Sequence, residues 1–256
     1  MVKSIFKKLI IVIGTILLCG NISAQTPTKT LQFATEATYP PFESVGPSGQ
    51  LQGFDLDVAN ALCEKIQTKC TFVSAPFDSL IPSLKLNKYD VVFGAMDITP
   101  ERSKQVDFTN PYFVNTAIFI VPKTAHFTAT PAGLKGKTIG VQQGTTLGSY
   151  LQTLYDNTVT LKHYASVQDA LLDLQSGRID AVFSDTPVIT DWIKKQGNGN
   201  YVTLGQPIND PHYFGLGYAF AVRKGNTQLL NALNQALAEI KKDGTLNKLV
   251  NQYFGQ

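Results

Sequence analysis

From Gln25 onward, short apolar runs alternate with amphipathic segments, a pattern that predicts α/β units. Leu31-Gln32-Phe33-Ala34 reads as a strand running into a loop that holds Tyr39-Pro40-Pro41-Phe42. A helix is expected over 57–66, where Leu56, Ala59, Leu62, Cys63 and Ile66 recur at helical spacing and Asp55 is placed to cap it. A second helix over 77–87 and a buried strand over 90–94 follow. The order then restarts, with a strand over 137–141, a helix from Gly144-Thr145-Thr146 through Tyr155 and a strand over 159–164. A helix over 166–175 ended by Gly177 and a buried strand over 179–183 complete this second set. Apolar strands over 117–122 and 217–222 flank it, and a final helix marked by Leu229, Leu230, Leu233, Leu237 and Ile240 is broken at Asp243-Gly244. Two α/β lobes joined by two hinge strands, with a cleft between them, satisfy this order. No Gly/Ser/Pro-rich linker separates the halves, which argues against two independent domains.

The first 24 residues read differently. Lys3, Lys7 and Lys8 precede an apolar run of 10 residues from Leu9 to Leu18, short for a bilayer, and small residues end at Ala24. This is the build of a signal peptide cleaved before Gln25. Cys19 raises the alternative of a lipid-anchored start, which the bulky Leu18 before it opposes. The full chain carries a net charge of +3, but removal of the leader leaves 19 basic and 19 acidic side chains, so nothing calls for nucleic acid.

Export also bears on the cysteines. Cys63 and Cys70 remain as an even pair, one late in a helix and one opening a strand. A structural bridge and two reduced core thiols are both compatible with that spacing, and the oxidising compartment favours the bridge.

Catalytic constellations are hard to find. His126, His163 and His212 lie far apart without metal-ligand spacing, and no G-x-S-x-G, P-loop or dinucleotide fingerprint occurs. No metal or cofactor is expected. The block Gly94-Ala95-Met96-Asp97-Ile98-Thr99-Pro100-Glu101-Arg102 is different: Thr99 and Pro100 signal a helix start after a buried strand. Arg102 then sits in the first turn, where a cation opposes the helix dipole unless it has an anion to bind, and its fork suits a carboxylate.

That block, with Tyr39-Pro40-Pro41-Phe42-Glu43-Ser44, Gly53-Phe54-Asp55-Leu56-Asp57, the run from Phe77 to Lys85, Phe108 to Tyr112 and Gly177-Arg178-Ile179-Asp180, resembles the polar amino-acid-binding proteins of bacterial ABC importers. Arginine-binding members are the nearest match, on the Gly94 to Arg102 stretch. The resemblance covers essentially the whole mature chain. It implies the type II periplasmic binding fold, with a signal peptide over 1–24, one lobe from 25–116 plus 218–256 and the other from 117–217. It also implies a Cys63–Cys70 disulfide, periplasmic location, a monomer, a basic L-amino acid as ligand (arginine first, then lysine, ornithine or histidine) and an importer permease as partner.

Carried over by motif, Arg102 clamps the ligand carboxylate, assisted by the Asp97 N–H and by Gln143 and Thr146 at a helix start. Asp185 takes the ligand ammonium with the Ala95 carbonyl after Gly94 and with the Asp97 side chain, although many relatives carry a hydroxyl residue where Asp97 stands. Tyr39 and Phe77 are expected to wall a guanidinium that Glu36 pairs. Solvated Asp185 and core-packed aromatics are the competing readings of these residues. The same fold also hosts cyclohexadienyl dehydratases, so an enzyme is the alternative; the cationic pocket implied by Glu36, Tyr39 and Phe77 argues against it. A sensory domain has no support, because no signalling module follows.

Overall fold

The computed structural model describes residues 30–114 and 116–255. The expected leader over 1–24, with Cys19, lies outside the described residues. The chain opens with β1 (Leu31–Thr35), then a small three-stranded sheet of β2 (Thr38–Tyr39), β3 (Glu43–Val45) and β4 (Leu51–Gln52). Helix α1 (Phe54–Lys65), β5 (Cys70–Ser74), α2 (Phe77–Lys85), β6 (Val91–Val92), α3 (Pro100–Ser103) and β7 (Val106–Phe108) follow. Beyond β8 (Ala117–Pro122) come β9 (Thr138–Gln142), α4 (Thr146–Tyr155), β10 (Thr160–Tyr164), α5 (Val167–Gln175), β11 (Ala181–Asp185), α6 (Thr186–Gln196), β12 (Tyr201–Ile208) and α7 (Pro211–Phe214). The chain ends with β13 (Ala221–Arg223), α8 (Thr227–Lys242) and α9 (Thr245–Phe254).

Two five-stranded sheets result, in the orders β5-β1-β6-β13-β7 and β10-β9-β11-β8-β12. In each, three parallel strands are joined to antiparallel ones: β1 pairs in parallel with β5 and β6, and β9 with β10 and β11. The buried runs of β1, β6, β9 and β11 account for this, since parallel strands are covered on both faces. Ligands in open α/β sheets sit beyond the carboxyl ends of the parallel strands. Here those ends deliver Glu36, Gly94, Gln142 and Asp185 to one place.

The chain crosses between sheets twice, once between β7 and β8 and once between β12 and β13. Tyr218 bridges to both Asp97 and Phe113 at that crossing. The apolar strands expected to cross belong to one sheet each, β8 to the second and β13 to the first; short segments beside them make the passage.

Three local expectations need correction. Asp55 is not a cap: α1 begins at Phe54 after Gly53, and Asp55 is buried in its first turn. Asp243-Gly244 breaks α8 as expected, but α8 is not the final helix. Gly244, at φ 82°, turns the chain into α9, whose Phe254 ring packs 4.7 Å from Phe113 and 5.0 Å from Phe54. Helix α6 and strand β12 were not anticipated either; α6 is mostly polar except for the face carrying Val188, Ile189 and Trp192. Cys63 and Cys70 are bonded with Cα atoms 6.2 Å apart, tying the end of α1 to the start of β5. Among the described residues, no helix is long and apolar enough to cross a membrane.

Candidate ligand-binding site

A narrow cavity lies between the two sheets, lined by Glu36, Tyr39, Glu43, Phe77, Gly94, Ala95, Asp97, Arg102, Gln142, Thr145, Thr146, Leu147 and Asp185. Nine of the ten residues singled out in the sequence meet here. The tenth, Gln143, faces outward and donates from Nε2 to Asp78 Oδ2 at 2.8 Å; its neighbour Gln142 takes the inward position. The strand was read as ending at Val141, whereas β9 runs one residue further to Gln142, whose side chain is the one turned to the cavity. Glu43, Thr145 and Leu147 were also missed. An acid following an apolar Pro-Pro-Phe run was the available signal for Glu43.

Arg102 is built into place from its own helix. Thr99 caps α3 by accepting from the Arg102 N–H at 3.2 Å, with Pro100 at the first position. The guanidinium then donates to Asp97 O at 3.0 Å from one terminal nitrogen and across the cleft to Gly144 O at 3.2 Å from the other. Its carbon lies 5.4 Å from the Phe77 ring centroid, so Phe77 positions Arg102 by a cation–π contact. Arg102 is half-buried by area, yet its charged end is desolvated enough to lower its pKa, against the pull of Asp97 and Asp185.

The opposite wall belongs to the second sheet. Thr145 caps α4 through the Gly148 N–H at 3.2 Å, which sets the amino end of that helix at the cavity. Thr146 Oγ1 donates to Asp97 Oδ2 at 2.6 Å, Gln142 Nε2 to Glu36 Oε2 at 2.5 Å, and Tyr39 Oη to Asp185 Oδ2 at 2.6 Å. Each of these bonds joins the two halves of the molecule. Tyr39 is also within 3.0 Å of Ser184 Oγ and stacks on Phe42, so one face of its ring is already covered.

Four carboxyl groups line the cavity against one guanidinium, and burial makes that crowding costly. Asp97 is pushed up to about 7 by burial and by Asp185, with Arg102 and Thr146 pulling the other way. Burial also raises Glu36, partly offset by its bonds from Thr38 and Gln142. Glu43 lies well above the carboxylate range, through burial and the neighbouring Asp55. Groups held this way gain from any cation that enters. Arg102 and the α4 amino end supply the complementary place for an anion. Among the described residues, no cluster of His, Cys, Asp and Glu is arranged to hold a metal ion.

Residues 31–256 match the bacterial extracellular solute-binding proteins, family 3. The chain is 47% identical over 246 residues to the ABC transporter arginine-binding protein 1 of Escherichia coli (strain K12), covering 96% of this chain and 99% of that protein. It is 37% identical over 253 residues to the histidine-binding periplasmic protein of Salmonella typhimurium (strain LT2), covering 97% of each. Among solved structures, a Salmonella typhimurium periplasmic binding protein of high arginine specificity superposes with a TM-score of 0.83 at 40% identity, covering 88% of this chain and 99% of that one.

Proposed function

The chain belongs to the bacterial extracellular solute-binding proteins, family 3, and we propose that it captures a basic L-amino acid, arginine first, and delivers it in the periplasm to the permease of an ABC importer. The observation that carries this is the charge content of the cavity: one guanidinium and the amino end of α4 converge on it from its two walls, together with the carboxyl groups of Glu36, Asp97 and Asp185. A zwitterion with an additional cationic end satisfies both.

In this reading Arg102 pairs with the ligand carboxylate, assisted by the Asp97 N–H and the first turn of α4 at Thr146. Asp185 receives the ammonium with the Ala95 carbonyl and the Asp97 side chain. Glu36 meets the guanidinium beside Tyr39, while Phe77 serves chiefly by holding Arg102. The lobes are 25–116 plus 218–256 and 117–217, closing on the ligand about the Tyr218 crossing. The mature protein starts at Gln25, is free of lipid and acts as a monomer. The names of the relatives, all binding proteins, support capture over a dehydratase activity.

Calorimetric titration of purified protein with the twenty amino acids tests the reading. Arginine is expected to bind tightest, followed by other basic ligands; preference for a neutral or acidic ligand overturns it. Intact mass of the exported protein checks the Gln25 start, and a diacylglycerol adduct on Cys19 excludes the lipid-free form.

A further inference from the structure

Glu43 and Asp55 are a buried acid pair that the proposed ligand contacts do not use. Glu43 is 1% exposed and Asp55 0%. Glu43 stands opposite Tyr39 in the register of β2 and β3, and Asp55 lies in the first turn of α1. Both carboxyl groups pack against the Gly94-Ala95 turn, and each acts on the other's protonation. Asp55 Oδ2 accepts from the Ala95 N–H at 2.8 Å and from Tyr112 Oη at 2.7 Å. Asp55 Oδ1 and Glu43 Oε2 are buried, and among the described residues neither has a donor and no lysine or arginine pairs with these two acids.

Two ionised carboxylates cannot hydrogen-bond to one another, because neither has a hydrogen to give. A single proton between them resolves the contact and accounts for both orphaned oxygens. Its place follows from the donors. Asp55 accepts two hydrogen bonds that favour its anion, whereas Glu43 accepts none, so the proton resides on Glu43 and is donated to Asp55. The groups facing the pair point the same way. Glu36 after β1 and Asp185 at the end of β11 are carboxyl groups that face Glu43, Tyr112 faces Asp55 as a neutral donor with Asp97 beyond it, and the cavity guanidinium, Arg102, is bonded elsewhere.

We propose that Glu43 and Asp55 share one proton at neutral pH and that the pair is a positioning device for the Gly94-Ala95 wall of the cavity. That wall needs an anchor. Gly94 has φ 127° and Ala95 φ 44°, a left-handed value that costs a residue with a side chain. A Cβ at Gly94 would stand 2.8 Å from Thr35 Oγ1 and 3.2 Å from Glu43 Oε1, so the glutamate packs directly against the turn whose next N–H Asp55 holds. The sharing of the proton rests on the burial of both acids and their two orphaned oxygens; its effect on binding rests on the reading of the cavity as an amino-acid site.

The test is the ligand-free melting temperature between pH 5 and pH 9 for wild type, Glu43→Gln and Asp55→Asn. Because the folded pair keeps its proton above the pH at which the unfolded acids release theirs, wild-type stability falls as pH rises through that interval. An amide N–H at either position replaces the shared proton permanently, so both variants are expected to lose part of that slope; curves parallel to wild type overturn the proposal. Absence of any protonated-carboxyl infrared band from wild type at pH 7 overturns it without a variant. For the positioning role, Glu43→Ala is expected to weaken arginine roughly tenfold more than Glu43→Gln at pH 7; equal losses remove that role. If wild type does not bind arginine, the functional reading fails while the melting curves still decide the proton.

Discussion

Tyr39 reaches across the cleft and donates its hydroxyl hydrogen to Asp185 Oδ2 at 2.6 Å, 146 residues further along the chain. The phenol comes from the small sheet beside the first lobe and the carboxylate from the last residue of β11. Burial and the Asp185 charge raise the phenol's pKa, so it remains a donor throughout the neutral range. In the proposed binding mode, closure and ligand capture draw on the same side chains.

Tyr39→Phe keeps the ring and removes this bond. Affinity is expected to fall by about 1.5–3 kcal/mol, the range for a hydrogen bond to a charged group, and to fall alike for arginine and glutamine. Titration with both ligands checks it. A loss confined to arginine would assign the hydroxyl to reading the side chain rather than to closure.

Glu36→Gln is expected to weaken arginine by about 1.5–3 kcal/mol and glutamine by less. Glu36 is 6% exposed and accepts from Thr38 Oγ1 at 2.6 Å as well as from Gln142. An amide cannot accept from both through its nitrogen, so some closure energy is lost with every ligand. Glutamine measures that common part, and the excess for arginine is the charge. Equal losses for arginine, lysine and glutamine would transfer the cation-reading role to Asp97.

Arg102→Ala is expected to reduce binding of every amino acid by about 3–5 kcal/mol while the fold persists, because the ligand carboxylate is left without its partner in a desolvated place. Arg102→Lys keeps the charge but not the fork that spans Asp97 O and Gly144 O, so it recovers only a minor part. Circular dichroism and calorimetry together separate binding loss from unfolding.

Arginine affinity is expected to depend on pH through Asp97. With its pKa raised to about 7, the carboxyl is protonated in part of the ligand-free population at neutral pH and must ionise to meet a cation. Affinity therefore rises as pH increases from 5 to about 7, by at most about tenfold per unit for one released proton, and then levels. In the ligand-free fold the sign is opposite: a raised carboxyl pKa means stability that declines as pH rises toward 7. Asp97→Asn should flatten the binding profile, and titrations at half-unit intervals check this.

Much of the architecture was legible because it is local. Period-two and period-3.6 apolar patterns, Thr99 as a cap and Pro100 at a helix start are written in neighbouring residues. Arg102 was legible for the same reason, since a cation in a first turn is locally unfavourable and asks for an anion. Helix α9 was missed because Asp243-Gly244, a true local stop, was taken to end the helices, whereas a further helix is fixed beyond it by Phe254 packing on Phe42, Phe54 and Phe113. Which of Gln142 and Gln143 faces the cavity depends on the register of β9 against β10 and β11, a long-range pairing. The partners of Tyr39, Glu36 and Asp97 lie in the other half of the chain and exist only once the two sheets face each other. The Glu43–Asp55 contact is of the same kind: its two acids are 12 positions apart and look solvated in the sequence. Only burial against one another, with Ala95 and Tyr112 bonded to one of them, makes a proton part of the structure.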